Sequence, residues 1–211
     1  TSGHFRLRGV DILAGTLARL PPGGRARLRL LAVGHGGNIA LLRAALERGG
    51  VAGGLIVQPP VDGVERYYHA ADLLFHPDLA DFDTRRGWCG MVAVVRDGTG
   101  VATGGIHRTY LLDDGSAKAP PGKKMLGPVA GGAVRLAPHP EDGRIGVAEG
   151  IETALSAQSI FGVPTMAALS ADGLRRWQWP AGTTHVTIFA DAGLAGMQAA
   201  ASLADQLNIA N

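Results

Sequence analysis

The sequence predicts an α/β protein, a parallel sheet with flanking helices in the carboxyl-terminal part, preceded by a β-rich segment. Three observations carry this. Residues 141–211 alternate short apolar runs with helical runs in the order β-α-β-α-β-α, an order that implies right-handed crossovers and parallel strands. Two of the apolar runs there, Arg144 to Glu149 and His185 to Asp191, each end on a carboxylate and pass through glycine, Gly150 and Gly193, into a helix. Residues 72–140 instead hold extended runs separated by turn residues.

Taken in order, residues 1–71 form a basic amino-terminal region with no assigned fold. Val10 to Leu20 has apolar residues at helical spacing and stops at Pro21-Pro22-Gly23-Gly24. Leu28 to Val33 reads as a strand, Ile39 to Arg48 as an amphipathic helix closed by Gly49-Gly50, and Leu55 to Val57 as a short strand. In the β-rich segment, Leu73 to His76 is short and apolar. Met91 to Arg96 and Val101 to Leu112 are longer, joined by a hairpin turn at Asp97-Gly98-Thr99-Gly100. Asp113 to Ser116 is another turn. Ala117 to Met125, with three Lys and two Pro, reads as a loop, and Ala133 to Leu136 as a strand. In the last part the helices are Ile151 to Phe161, ended by Gly162, then Asp172 to Trp177 with Ser170 as cap, then Leu194 to Leu207. Pro164 to Leu169 is the middle strand. The chain ends at Asn211 where a further strand is expected, and Thr1 is not an initiator Met, so a fragment, truncated at its carboxyl end, is expected.

Composition narrows the classes of function. Hydrophobic residues make up 46% and charged ones 18%, enough for a buried core. The 32 glycines are roughly double the usual ~7% share and mark many turns. A single cysteine, Cys89, excludes an internal disulfide and a Cys-based zinc site, which fits a cytoplasmic protein. The seven histidines are scattered, and no apolar run approaches the ~18 residues of a membrane span. Residues 1–50 carry eight Arg against Asp11 and Glu47, a balance of +6, and the remainder of the chain balances at −4. That basic third suits a phosphate backbone or, equally simply, a solvated surface.

Strands of one parallel sheet would set Glu149 and Asp191 side by side at its carboxyl edge, where open α/β sheets place their chemistry. Paired carboxylates suit a hard cation such as Mg²⁺, with Mn²⁺ as a substitute. The plainer alternative is that each carboxylate settles against its own helix start. Arg108, Lys118, Lys123, Lys124 and Arg135 form a candidate basic lining for a nucleic-acid backbone or nucleotide phosphates, against ordinary surface charge. His107 and Arg108 sit in an alternating run, so one of the two is expected to face outward. Gly34-His35-Gly36-Gly37 opens a helix but lacks the third glycine of a dinucleotide fingerprint and reads as a turn. Trp177 and Trp179 read as packing at a core edge, with base stacking as the alternative.

Several of these stretches together resemble the Toprim (topoisomerase–primase) domain, in the version found in phage and plasmid primases. They are Val147-Ala148-Glu149-Gly150-Ile151-Glu152-Thr153-Ala154-Leu155-Ser156, Ala167-Ala168-Leu169-Ser170 and Ile188-Phe189-Ala190-Asp191. Leu74-Phe75-His76-Pro77, Gly105 to Leu111, Gly115 to Pro120 and Met125 to Pro128 resemble the segment that precedes Toprim in those proteins. The resemblance implies a Toprim-like sheet over residues 141–211, a general acid/base role for Glu149, and Mg²⁺ at Glu149 and Asp191. Gly150, Glu152 and Ser170 would support the site. It implies nucleotidyl transfer on a DNA template during replication of a mobile element, with DNA and nucleotides as ligands and a replicative helicase as partner. The family's second Asp falls where this chain has Gly193, one carboxylate fewer, for which Asp172 or Glu152 would have to compensate. A non-catalytic nucleic-acid-binding module with a degenerate site is therefore the alternative, and a metal-dependent nuclease the third reading.

Overall fold

A computed structural model of the protein describes residues 19, 29–33, 36–48, 50, 52–58, 73–80, 87–112 and 116–210. The helix expected over Val10 to Leu20 and the turns at Gly34-His35 and Asp113 to Gly115 lie outside these residues. The strands are β1 (Leu30–Val33), β2 (Leu55–Gln58), β3 (Leu74–Ala80), β4 (Gly87–Arg96), β5 (Ala102–Leu111), β6 (Lys118–Leu126), β7 (Ala133–Val134), β8 (Arg144–Ala148), β9 (Thr165–Ala167) and β10 (His185–Phe189). The helices are α1 (Gly36–Arg48), α2 (Ile151–Phe161), α3 (Ala171–Arg176) and α4 (Leu194–Ala210). They divide into two compact units: Thr1–Tyr67, Phe75–Met91 and Thr109–Lys123 in one, Tyr68–Leu74, Val92–Arg108 and Lys124–Asn211 in the other.

In the first unit β1 and β2 pair in parallel, Leu30 opposite Leu55 and Val33 opposite Gln58. A parallel pair needs a crossover, and α1 supplies it. Its residues Leu42, Ala45 and Leu46, at the i, i+3, i+4 spacing of one helix face, are buried. A second apolar cluster in this unit joins Trp88, Tyr110 and Ala119.

The larger sheet has the order β10-β8-β9-β7-β4-β5-β6, with β3 pairing β4 off this path. The residues from Ala117 to Met125, expected as a loop, are mostly strand, since β6 covers Lys118–Leu126. Proline lacks the N–H that a central strand must donate, but β6 ends the sheet order, and an edge strand tolerates Pro120 and Pro121. Gly122, the next residue, has a positive φ of 66°, which glycine adopts at no steric cost. A second expectation also changes. His107, Arg108, Thr109 and Tyr110 are all buried, so the in-and-out alternation assumed for β5 does not hold there. Alternation fails wherever both faces of a strand are covered.

In the second unit β8 lies between β10 and β9 and is parallel to both. A strand flanked on both sides and packed on both faces takes apolar residues throughout, and Ile145, Val147 and Ala148 are buried accordingly. Ile145 and Val147 join Leu174, Trp177, Ala199 and Leu203 in the core. Gly146 is required by close packing, because a Cβ there would collide with the Thr165 hydroxyl and stand 2.8 Å from the Phe189 ring. Helix α2 buries Ile151, Ala154 and Ala157 and ends at Gly162, whose left-handed φ of 69° closes it. Helix α3 starts at Ser170, whose side chain accepts from the Gly173 N–H at 3.0 Å. The middle strand stops at Ala167, two residues short of expectation, because Leu169 turns the chain with φ 76°. That conformation is uncommon for a residue bearing a Cβ, and here Leu169 is held in it by near-complete burial.

Registers align the strand ends. Arg96 lies opposite Ala133, Val134 opposite Ala167, Ala167 opposite Ala148, and Ala148 opposite Phe189. Since β7 is antiparallel to both β4 and β9, the chain leaves β4, β9, β8 and β10 at one common edge.

Candidate metal and nucleic-acid site

At that edge Glu149 follows the last residue of β8, and Asp191 stands two residues beyond the end of β10. Phe189 and Ala148 are paired in register, so the two carboxylates rise from neighbouring strands. Glu149 is half-buried and Asp191 is exposed. Glu149 immediately precedes Gly150, the N-cap of α2, which has extended backbone and no side-chain cap bond. The unsatisfied N–H groups of a helix start favour negative charge beside them, which is the local setting of Glu149 and Glu152.

A side chain not anticipated from the sequence ties the two strand ends together. Thr153, in the first turn of α2, donates its hydroxyl to Asp191 Oδ1 at 3.2 Å. It lies four residues after Glu149, one helical turn on, and that spacing was the available signal. Gly196 is the second such residue. A Cβ at 196 would come within 2.7 Å of the Asp191 carbonyl oxygen and 3.3 Å of its Cβ. Gly196→Ala is therefore expected to push Asp191 away from Glu149 and lower Mn²⁺ affinity, with little change in far-ultraviolet circular dichroism. Titration calorimetry with Mn²⁺ checks it.

The supporting residues are placed as follows. Glu152 is exposed, with Oε2 3.4 Å from where a Gly150 Cβ would stand. Ser170 serves as the cap of α3. Asp172 is engaged with Arg176 Nε at 3.3 Å on the same helix. Gly193 immediately precedes α4, its carbonyl accepting from the Met197 N–H at 3.0 Å. Nothing lies within 4 Å of a Cβ built on Gly193, and its φ is not positive. Among the described residues, no group of three or more His, Cys, Asp or Glu is placed to hold a metal. The acidic edge offers two carboxylates, not a closed cage.

The basic residues are dispersed. Arg108 is 5% exposed within β5, Lys118 and Lys123 are exposed on β6, Lys124 on the same strand is half-buried, and Arg135 is half-buried just past β7. Lys118 and Lys123 belong to the first unit, and Arg108, Lys124 and Arg135 to the second. Trp177 is buried in the core and Trp179 packs against it, ring centroids 6.4 Å apart.

Two adjacent parallel strands of this α/β unit thus run out to one carboxylate each at a common edge. Residues 144–211 match the family model described as Toprim domain, and residues 63–136 match that described as Domain of unknown function (DUF7146). No curated protein and no solved structure matches the chain. The chain thus carries a Toprim domain, which points to a metal-binding function connected with nucleic acids. Among the described residues no helix is long and apolar enough to cross a membrane.

Proposed function

We propose that the protein is a primase-related Toprim protein that transfers nucleotidyl groups on a DNA template with Mg²⁺. The observation that carries this reading is the adjacency of β8 and β10, which sets Glu149 and Asp191 at one sheet edge. The donor set fits the ion, because Mg²⁺ retains several waters and is commonly held by one or two carboxylates plus substrate phosphate. Glu149 and Asp191 would hold Mg²⁺, which would supply neutralisation of charge at the reacting phosphate. Glu149, half-buried at a helix start, is the group that accepts the proton of the attacking 3′-hydroxyl. Thr153 holds Asp191 in position. In this reading DNA and nucleotides are the ligands, a replicative helicase is the partner, and the setting is replication of a mobile element in the cytoplasm. Of these points, the Toprim match supports the nucleic-acid and nucleotide ligands.

Gly193 favours a second reading, a non-catalytic nucleic-acid-binding module, as does the lack of a third ligating side chain among the described residues. Primer synthesis with Mg²⁺ on a single-stranded template separates the two: the first reading predicts extension products, the second predicts binding without them. Labelled single strands incubated without nucleotides would reveal cleavage, the outcome expected of a nuclease. Gly193→Asp adds a test that does not depend on turnover. The open space around position 193 admits the side chain. Mg²⁺ affinity is expected to rise on the order of tenfold, as an added carboxylate ligand should give. Stability without metal should change by only a few tenths of a kcal/mol, since Asp and Gly differ little as helix caps.

A further inference from the structure

Asp191 is exposed, and an exposed aspartate ordinarily samples several rotamers. Here two restraints act on it. The Thr153 hydroxyl donates to Oδ1 at 3.2 Å, across 38 residues of sequence. The first turn of α4 also closes on its backbone. A Cβ at 196 would stand 2.7 Å from the Asp191 carbonyl oxygen and 3.3 Å from its Cβ, so glycine there is what lets the helix start so near.

Thr153 is itself held in place. Its neighbours in the first turn of α2, Ile151 and Ala154, are 1% and 0% exposed, and the Ala154 N–H bonds the Gly150 carbonyl at 3.0 Å. A threonine inside a helix commonly turns its hydroxyl back onto the carbonyl four residues earlier, which here is that of Glu149. Thr153 donates across to Asp191 instead. A hydroxyl has a single proton to give, so its donor capacity goes to this one oxygen. Oδ1 shares its electrons with that proton and is the weaker ligand, which leaves Oδ2 as the oxygen Asp191 presents to a cation.

That arrangement bears on which ion fits. Mg²⁺ demands near-ideal octahedral geometry, keeps several waters and needs few carboxylate oxygens. Ca²⁺ takes more oxygens at longer distances, often both from one carboxylate, and prefers a flexible site. Among the described residues no third His, Cys, Asp or Glu is placed to add a ligand. We propose that the Thr153 hydroxyl is the ion-selecting element of this edge: by holding Asp191 as a one-oxygen ligand, it favours Mg²⁺ and Mn²⁺ over Ca²⁺. The inference rests on the metal reading above and deepens it, assigning the discrimination to a residue that is not itself a ligand.

The test is Mn²⁺ binding to the full chain without substrate, read from the paramagnetic resonance of free Mn²⁺, with Mg²⁺ and Ca²⁺ as competitors. Thr153→Val keeps the shape of the side chain and its helix propensity while removing the hydroxyl. Affinity for Mn²⁺ and Mg²⁺ is expected to fall about tenfold, the lower end of what losing a ligand's hydrogen-bond partner does. Affinity for Ca²⁺ should change far less, because the released carboxylate can engage that ion with both oxygens. The preference for Mn²⁺ over Ca²⁺ therefore narrows several-fold. Thr153→Ser retains the hydroxyl and should keep the wild-type preference, a rescue that a packing role alone would not produce. Glu149→Gln should weaken all three ions, which locates the bound ion at this edge. Circular dichroism and thermal melts identify a variant that fails to fold, and Thr153→Ala then carries the same expectation as Thr153→Val. An unchanged preference in the folded variant, or an equal loss of Mn²⁺ and Ca²⁺ binding, would overturn the role of Thr153; binding still dependent on Glu149 would leave the metal centre standing. Absence of Mn²⁺ binding by wild type, or binding indifferent to Glu149→Gln, would remove the metal reading and this inference with it.

Discussion

Glu149→Gln should lower Mg²⁺-dependent primer synthesis by about 10²–10⁴-fold, the range typical of losing a positioned general base. The substitution keeps the shape of the side chain and removes its charge and its capacity to accept a proton. Glu149 is half-buried and directly precedes the N-cap of α2, so a neutral amide fits the same space and the fold should be retained. Mg²⁺ affinity should fall alongside turnover, because only Asp191 then remains at the strand ends. Initial rates at saturating nucleotide, with metal titrated separately, check both parts. Equal rates in wild type and variant would remove Glu149 from the reaction.

The largest stability effect is expected at Trp177. Its side chain is 2% exposed, ends α3, and packs in the cluster with Ile145, Val147, Leu174 and Leu203. Trp177→Ala would leave a cavity between the sheet and α4, and such large-to-small changes destabilise by about 3–5 kcal/mol. For a chain of this size, Tm should fall by about 10 °C. Thermal unfolding followed by circular dichroism checks it. A shift of about one degree or less would mean that the indole is not part of the core that supports the acidic edge.

Much of this second unit could be read from the sequence because its punctuation is local. Gly162 in the left-handed region, Ser170 as a cap, and the passage from apolar strand through Gly150 into α2 each depend on residues next to one another. The adjacency of the two strands that lead to Glu149 and Asp191 was legible for a related reason: alternating strands and helices leave few topologies, and β10 pairs with β8 as one of them requires. Features set by distant partners were not legible. β6 tolerates its prolines because it lies at an edge, a position that no residue within it announces. Both His107 and Arg108 are buried, which depends on what covers β5 rather than on its own pattern. Leu169 has φ 76° although a leucine gives no hint of it.

The most direct measurement is a crystal structure of the full chain soaked with Mn²⁺. One ion should lie within direct coordination distance, about 2.1 Å, of a carboxylate oxygen from each of Glu149 and Asp191, with waters completing its shell. Carboxylates turned away from one another, with Mn²⁺ bound to neither, would contradict the assignment of this sheet edge as a metal centre.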